Sequence, residues 1–160
     1  MRGASLGELE TLYRRELPRF VRAATAITGS STDGSDVVQE AFARAVRSRG
    51  SFRGEVALEA WVWRIVVNTA LQERRRIAER AELGDVLVAS ENGDAATDLV
   101  VRRWVATLPE RQRLMVFLRY FADLDYRAVA AALDVEVGTV SATLAAAHAS
   151  LRKSMQKVSS

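Results

Sequence analysis

The chain has 160 residues, 49% of them hydrophobic, with 23 basic against 20 acidic side chains and no cysteine. That is apolar surface enough for a fair core in one domain or two small ones, and the missing thiols exclude a disulfide-stapled scaffold, thiolate metal sites and a cysteine nucleophile. His148 is the single histidine, and neither a Gly-rich phosphate loop nor a nucleophile elbow occurs, so no enzyme is expected and no catalytic residue, metal ligand or cofactor is assigned.

Helical periodicity runs through every long segment, and no strand pattern competes, which predicts an all-α fold. The first helix is expected from about Leu6 to Thr28, with Leu9, Leu12, Tyr13, Leu17, Phe20, Ala24 and Ile27 as its apolar stripe. Pro18 is expected to kink it or mark a restart, and Gly29 ends it. The polar cluster Ser30 to Asp33 offers caps for a second helix, from about Asp33 to Arg49. Val38, Ala41, Phe42 and Ala45 face inward there, and Asp36, Gln39, Glu40 and Arg44 point elsewhere.

After a loop from Gly50 to Val56, a third helix is predicted from about Ala57 to Arg80, carrying Leu58, Trp61, Val62, Ile65 and Thr69 and then the basic run Arg74, Arg75 and Arg76. Trp61 and Trp63 cannot share one face; Trp61 is placed inside and Trp63 is left open. Asp98 begins a further helix through Trp104, and Leu108-Pro109 marks the next start, after which Leu114, Phe117, Leu118 and Phe121 recur at helical spacing.

The segment from Leu124 to Leu151 reads as two helices joined by a tight turn. Asp125 caps the first, whose face is Tyr126, Val129, Ala130 and Leu133; Asp134 is the turn residue; Val140, Leu144, Ala147 and Leu151 form one stripe down the second. This geometry serves either a DNA-binding helix-turn-helix or an ordinary helical hairpin packed in a bundle.

Charge is unevenly spread. Residues 1–76 hold 13 basic and 9 acidic side chains, residues 77–98 hold 1 and 6, and residues 99–160 hold 9 and 5. Two mildly basic halves therefore flank an acidic middle that contains Gly84 and the Asn92-Gly93 turn signal, which reads as a linker. The expected organisation is two small helical domains, 1–80 and 98–160, joined by an acidic linker at 81–97. No uncharged run approaches the roughly 18 residues of a membrane span, and Glu8, Glu10 and Glu16 stand where a secretory signal would be basic then apolar. A soluble, cytoplasmic protein without membrane insertion is expected.

Three groups of residues together resemble a known family. They are Asp36-Val37-Val38-Gln39-Glu40-Ala41-Phe42; Phe52-Arg53-Gly54-Glu55 followed by Ala60 to Ala70 and Arg74-Arg75-Arg76; and Leu108-Pro109-Glu110-Arg111-Gln112-Arg113 with Gly138-Thr139-Val140. In this order the chain resembles the bacterial RNA polymerase sigma factors of the extracytoplasmic-function group, in the two-domain form of the sigma-70 family. The resemblance implies a factor that binds core RNA polymerase and directs it to promoters. Asp36, Gln39, Glu40 and Phe42 would dock on polymerase. Phe52, Arg53, Gly54, Arg64, Asn68, Gln72, Arg75 and Arg76 would meet the −10 promoter element. Arg127, Gly138, Thr139, Ser141, Ala142, Ala145, His148 and Arg152 would meet the −35 element. Promoter DNA, core polymerase and an anti-sigma factor are the implied partners.

The chemistry can be stated from the residues. Unstacking a duplex base costs a few kcal/mol, recovered by lodging it in a pocket and stacking others on apolar surface. The loop from Phe52 to Ala57 offers such a pocket, and Arg64, Asn68, Gln72 and Arg75 fall at i, i+4, i+8 and i+11, one polar row along a helix. One departure stands out. Where the family carries Lys or Arg at several outward positions of the last helix, this chain has Ser141, Thr143, Ala146 and His148, with basic charge only at Arg152, Lys153 and Lys157. Each lost phosphate contact flattens the salt dependence by roughly 0.9 log unit, so duplex binding through this helix should be weak. Asp134 also stands where such turns often have Gly. The alternative reading is a sigma-like helical interaction protein that binds polymerase or a regulator with little or no −35 recognition.

Overall fold

The structure, a computed structural model, describes residues 3–81, 107–121 and 123–159. All regular elements among them are helical: α1 (Leu6–Thr28), α2 (Ser31–Arg47), α3 (Leu58–Ala81), α4 (Glu110–Val116), α5 (Tyr126–Leu133) and α6 (Val137–Ser159). A 3₁₀ turn, Arg49–Ser51, follows α2, and a π turn, Phe117–Phe121, continues α4. Most of the acidic linker and the helix expected from Asp98 to Trp104 lie outside the described residues.

Local sequence sets the helix ends. At the start of α1 the Ser5 hydroxyl accepts from the Glu8 amide at 3.1 Å and the Glu8 carboxylate accepts from the Ser5 amide at 2.8 Å. This reciprocal capping box satisfies two otherwise orphaned donors and is worth about 1 kcal/mol. The helix runs through Pro18 without a restart and stops at Gly29, whose left-handed φ of 89° costs a residue without Cβ nothing. Ser30 caps α2 by accepting from the Asp33 amide at 3.2 Å, so that helix begins two residues earlier than the sequence suggests.

The core of the first half is where α1, α2 and α3 meet. Four rings hold it: Tyr13 against Phe42 at 4.9 Å, Phe20 against Phe42 at 5.4 Å and Phe20 against Trp63 at 4.4 Å between centroids. These tilted and edge-on contacts suit the ring quadrupoles, adding about 0.5–1.5 kcal/mol each beyond area burial. The crossing of α1 and α2 is close because Gly34 faces Thr25: a Cβ there would stand 2.3 Å from Thr25 Oγ1 and 2.8 Å from its backbone nitrogen.

Two expectations are corrected here, the full burial of Trp61 and the inward place of Tyr126. Trp63, left open in the sequence, is fully buried, and Trp61, placed inside, is only half-buried, with its ring tilted against Phe52 at 5.4 Å. The reason is that α3 is covered on more than one side, by α1 and α2 and again by α5, so its buried set is Ala60, Val62, Trp63, Val66, Val67, Thr69 and Ala70. A single amphipathic stripe underestimates a helix packed that way. In α5 the inward residues are Val129, Ala130 and Ala132, with Leu133 half-buried, while Tyr126 is exposed beneath the Arg119 guanidinium at 6.0 Å.

Candidate nucleic-acid interface

Helices α5 and α6 form the expected turn motif, bent by 104°, inside the range of helix-turn-helix units. Asp125 caps α5 by accepting from the Ala128 amide at 2.8 Å. The helix closes with Asp134 at φ 56°, ψ 50°, and the Val135 amide reaches back to the Ala130 carbonyl at 3.0 Å. An Asp tolerates this left-handed turn better than most residues, though less well than Gly.

Burial on α6 divides the candidate −35 residues. Val140, Leu144 and Ala147 are buried, which turns Gly138, Ser141, Ala142, Ala145, Ala149 and Arg152 outward; Thr139 and, on α5, Arg127 are exposed as well. Thr143 and His148 are only half-exposed, and His148 Nε2 lies 2.9 Å from the Tyr120 hydroxyl. Of the four outward positions expected without charge, Ser141 and Ala146 are open, Thr143 is half-exposed, and His148 is turned to Tyr120 of the π turn.

On α3, Arg64, Asn68, Gln72 and Arg75 are all exposed, as their spacing requires, in a row about 16 Å long at 1.5 Å per residue. Arg76 is exposed and reaches Glu73 at 3.6 Å. The loop before the helix presents Arg53, Gly54, Glu55, Val56 and Ala57 to solvent, with Gly54 at φ 78°, and is braced by Phe52 against Trp61. The loop and the polar row thus belong to one continuous stretch of chain.

The candidate docking residues separate. Asp36, Gln39 and Glu40 are exposed on α2, whereas Phe42 lies in the aromatic core at 8% exposure. Phe42 is therefore the core residue its spacing with Val38 and Ala45 makes it, and the polymerase contact that the resemblance implied for it is corrected. Glu40 accepts from Arg44 Nε at 3.1 Å and from Arg47 at 3.3 Å. The Arg44 bond, then the Arg47 bond, hold its carboxyl below the ordinary carboxylate value, against the opposing effect of desolvation.

Arg44, outward in the sequence but given no binding role there, joins the two faces: its Nη1 donates to Gln72 Oε1 at 2.8 Å and to Thr69 Oγ1 at 3.3 Å. Only the i, i+4 relation to Glu40 is legible in the sequence. The two halves also touch. Arg64 pairs with Asp134 of the helix-turn-helix at 2.8 Å, Arg74 pairs with Glu110, and Arg19 donates to the Asp123 carbonyl at 2.8 Å. Exposed pairs of this kind contribute about 0–1 kcal/mol, so the apolar packing of α5 on α3 does more to hold the halves together.

A helix-turn-helix packed on a three-helix unit with an exposed polar row and an aromatic-anchored loop fits a nucleic-acid-binding protein. Comparison with known proteins narrows this. Residues 12–80 match sigma-70 region 2 and residues 99–151 match sigma-70 region 4. The ECF RNA polymerase sigma-E factor of Escherichia coli strain K12 is 34% identical, over 79% of this chain and 75% of that protein. The ECF RNA polymerase sigma factor SigM of Mycobacterium tuberculosis strain H37Rv is 34% identical, over 90% of this chain and 75% of that protein. Among solved structures, CnrH in complex with the cytosolic domain of CnrY superposes with a TM-score of 0.70 at 21% identity, covering 96% of this chain and 91% of that one. The sigma factor RpoE of Bartonella quintana, in complex with the anti-sigma factor NepR, gives 0.68 at 18%, covering 94% and 98%.

The chain belongs to the extracytoplasmic-function sigma factors of the sigma-70 family. It is a sigma factor, directing RNA polymerase to promoters, and the bare interaction-protein alternative is not favoured. Sigma factors are not enzymes as a family. Among the described residues no single helix is long and apolar enough to cross a membrane.

Proposed function

We propose that the labour is divided by element: the exposed edge of α2 binds core polymerase, α3 and the loop before it open and read the −10 element, and α5–α6 approach the −35 element. Residues 1–80 and 98–160 act as two modules joined by the acidic segment 81–97. The observation that carries this reading is the exposed row Arg64, Asn68, Gln72 and Arg75 beside a loop pinned by Phe52 on Trp61. A flipped base entering the loop would meet Arg53 and the Gly54 backbone, while the row follows the strand by phosphate and base-edge contacts.

Between Ser141 and Ala149 the outward surface of α6 is mostly methyl groups, with Ser141 the one exposed hydroxyl among Ala142, Ala145, Ala146 and Ala149. Such a face suits thymine methyl contacts and gives little phosphate anchoring, so affinity for the −35 element comes mainly through the polymerase-bound complex. The complex of RpoE with the anti-sigma factor NepR supports an anti-sigma partner for this chain too. The factor works in the cytoplasm, with polymerase, and without catalysis or a cofactor of its own. Charge reversal at Asp36 and Glu40 tests the docking assignment: co-elution with core polymerase and promoter-specific transcripts should both disappear while helicity is kept. Undiminished co-elution rules the α2 edge out.

A further inference from the structure

We propose that Arg44 determines what Gln72 is able to read, by fixing its amide so that the side chain offers DNA hydrogen-bond donors. The inference rests on the reading of α3 as the −10 face. A guanidinium carries five donors and no acceptor, so whichever way an amide is turned, only its carbonyl oxygen can face one. Arg44 Nη1 meets Gln72 Oε1 at 2.8 Å, which leaves the Gln72 amino group, with two N–H donors, on the far side of an exposed residue.

Arg44 is itself held. Its Nε donates to Glu40 at 3.1 Å, and its Nη1 also donates to Thr69 Oγ1 at 3.3 Å. The Thr69 hydroxyl spends its proton on the Ile65 carbonyl at 2.7 Å, so that oxygen faces Arg44 as an acceptor. With Glu40, Thr69 and Gln72 each presenting an acceptor, the guanidinium has one consistent orientation. An unclamped glutamine shows a donor and an acceptor side by side and matches adenine in both respects. Clamped by Arg44, Gln72 turns its acceptor inward and favours the carbonyl oxygens of thymine or guanine over the exocyclic amino groups of adenine or cytosine.

The test uses the full chain with core polymerase and fluorescent non-template single strands in which each −10 position is set in turn to each base. At one position thymine or guanine should be preferred over adenine or cytosine by about tenfold, the size of one base-edge contact. Arg44→Met keeps the stem and removes the donors; it should level that preference to within about twofold and leave other positions unchanged. Arg44→Lys should restore it, because an ammonium is also donor-only. Gln72→Glu keeps the Arg44 pair but shows acceptors alone, and should reverse the preference toward adenine or cytosine. Wild-type preference in Arg44→Met, or no reversal in Gln72→Glu, overturns the proposal. Should Arg44→Met fail to fold, Gln72→Glu carries the decision. If Asn68→Ala alters base preference while both Gln72→Glu and Arg44→Met do not, the −10 face stands and the Arg44 role falls. If Asn68→Ala is equally silent, the −10 reading itself fails.

Discussion

Truncating each of the two neighbouring tryptophans should separate stability from promoter contact. Trp63 is fully buried, its ring 4.4 Å from Phe20 and under the Arg19 guanidinium at 5.9 Å. A buried tryptophan removes about 150–250 Å² from water, which at about 25 cal/mol per Å² is roughly 4–6 kcal/mol, part of it retained by the alanine. Its Nε1 has no hydrogen-bond partner among the described residues, and removing an unpaired buried donor gives back about 1–3 kcal/mol. Trp63→Ala should therefore cost about 3 kcal/mol, the low end for such truncations, and lower the melting temperature by on the order of 10 °C. Trp61 is half-buried and braces Phe52, so Trp61→Ala should cost about 1 kcal/mol, the size of an aromatic pair. Its larger effect falls on the loop: at a temperature where both variants are folded, Trp61→Ala with core polymerase should bind −10 single strand several-fold more weakly, and Trp63→Ala should bind it normally. Urea denaturation and strand-binding titrations read the two effects. The opposite order, with Trp61→Ala the less stable and Trp63→Ala the weaker binder, would refute the assignment of the two rings.

Gly34→Ala should destabilise by about 2 kcal/mol in urea denaturation, because the new Cβ meets the Thr25 backbone nitrogen at 2.8 Å; a gain in stability, as for Gly→Ala in an open helix, would show that α1 and α2 are not so close. Glu40 should titrate below its ordinary 4.5 in a carboxyl NMR titration, since Arg44 and Arg47 favour its charged form. With the folded value depressed, its ion pairs contribute fully above the unfolded value and are lost as pH falls through the folded one, so acidification from pH 7 to 5 should not disturb this edge; a midpoint at or above 4.5 would mean the pairs do not form. On α6, Ser141→Lys, Ala145→Arg and Ala149→Arg place three cations on open positions and should steepen the slope of log duplex affinity against log salt by up to about 2.7. An unchanged slope would mean that this face does not meet DNA.

What the sequence determined by itself was everything that depends on neighbours within one or two helical turns. Periodicity and caps place α1, the stop at Gly29, the Asp125 cap, the turn at Asp134 and the stripe Val140, Leu144 and Ala147, because hydrogen bonds and amphipathic faces repeat every few residues. The same rule puts Arg64, Asn68, Gln72 and Arg75 on one face, and the order of short motifs carries the family. Tertiary structure decided what depends on which helices cross. Trp63 lies inside and Trp61 half outside because α3 is covered by α1 and α2 and also by α5, which no single stripe reveals. Phe42, inward by its spacing yet a docking residue by resemblance, is decided as core by the rings of Tyr13 and Phe20 packed against it. The meeting of Arg44 with Gln72 and of Arg64 with Asp134 joins residues far apart in the chain. Local patterns hold no information on such pairs, because only the packing of the helices brings long polar side chains within hydrogen-bond reach.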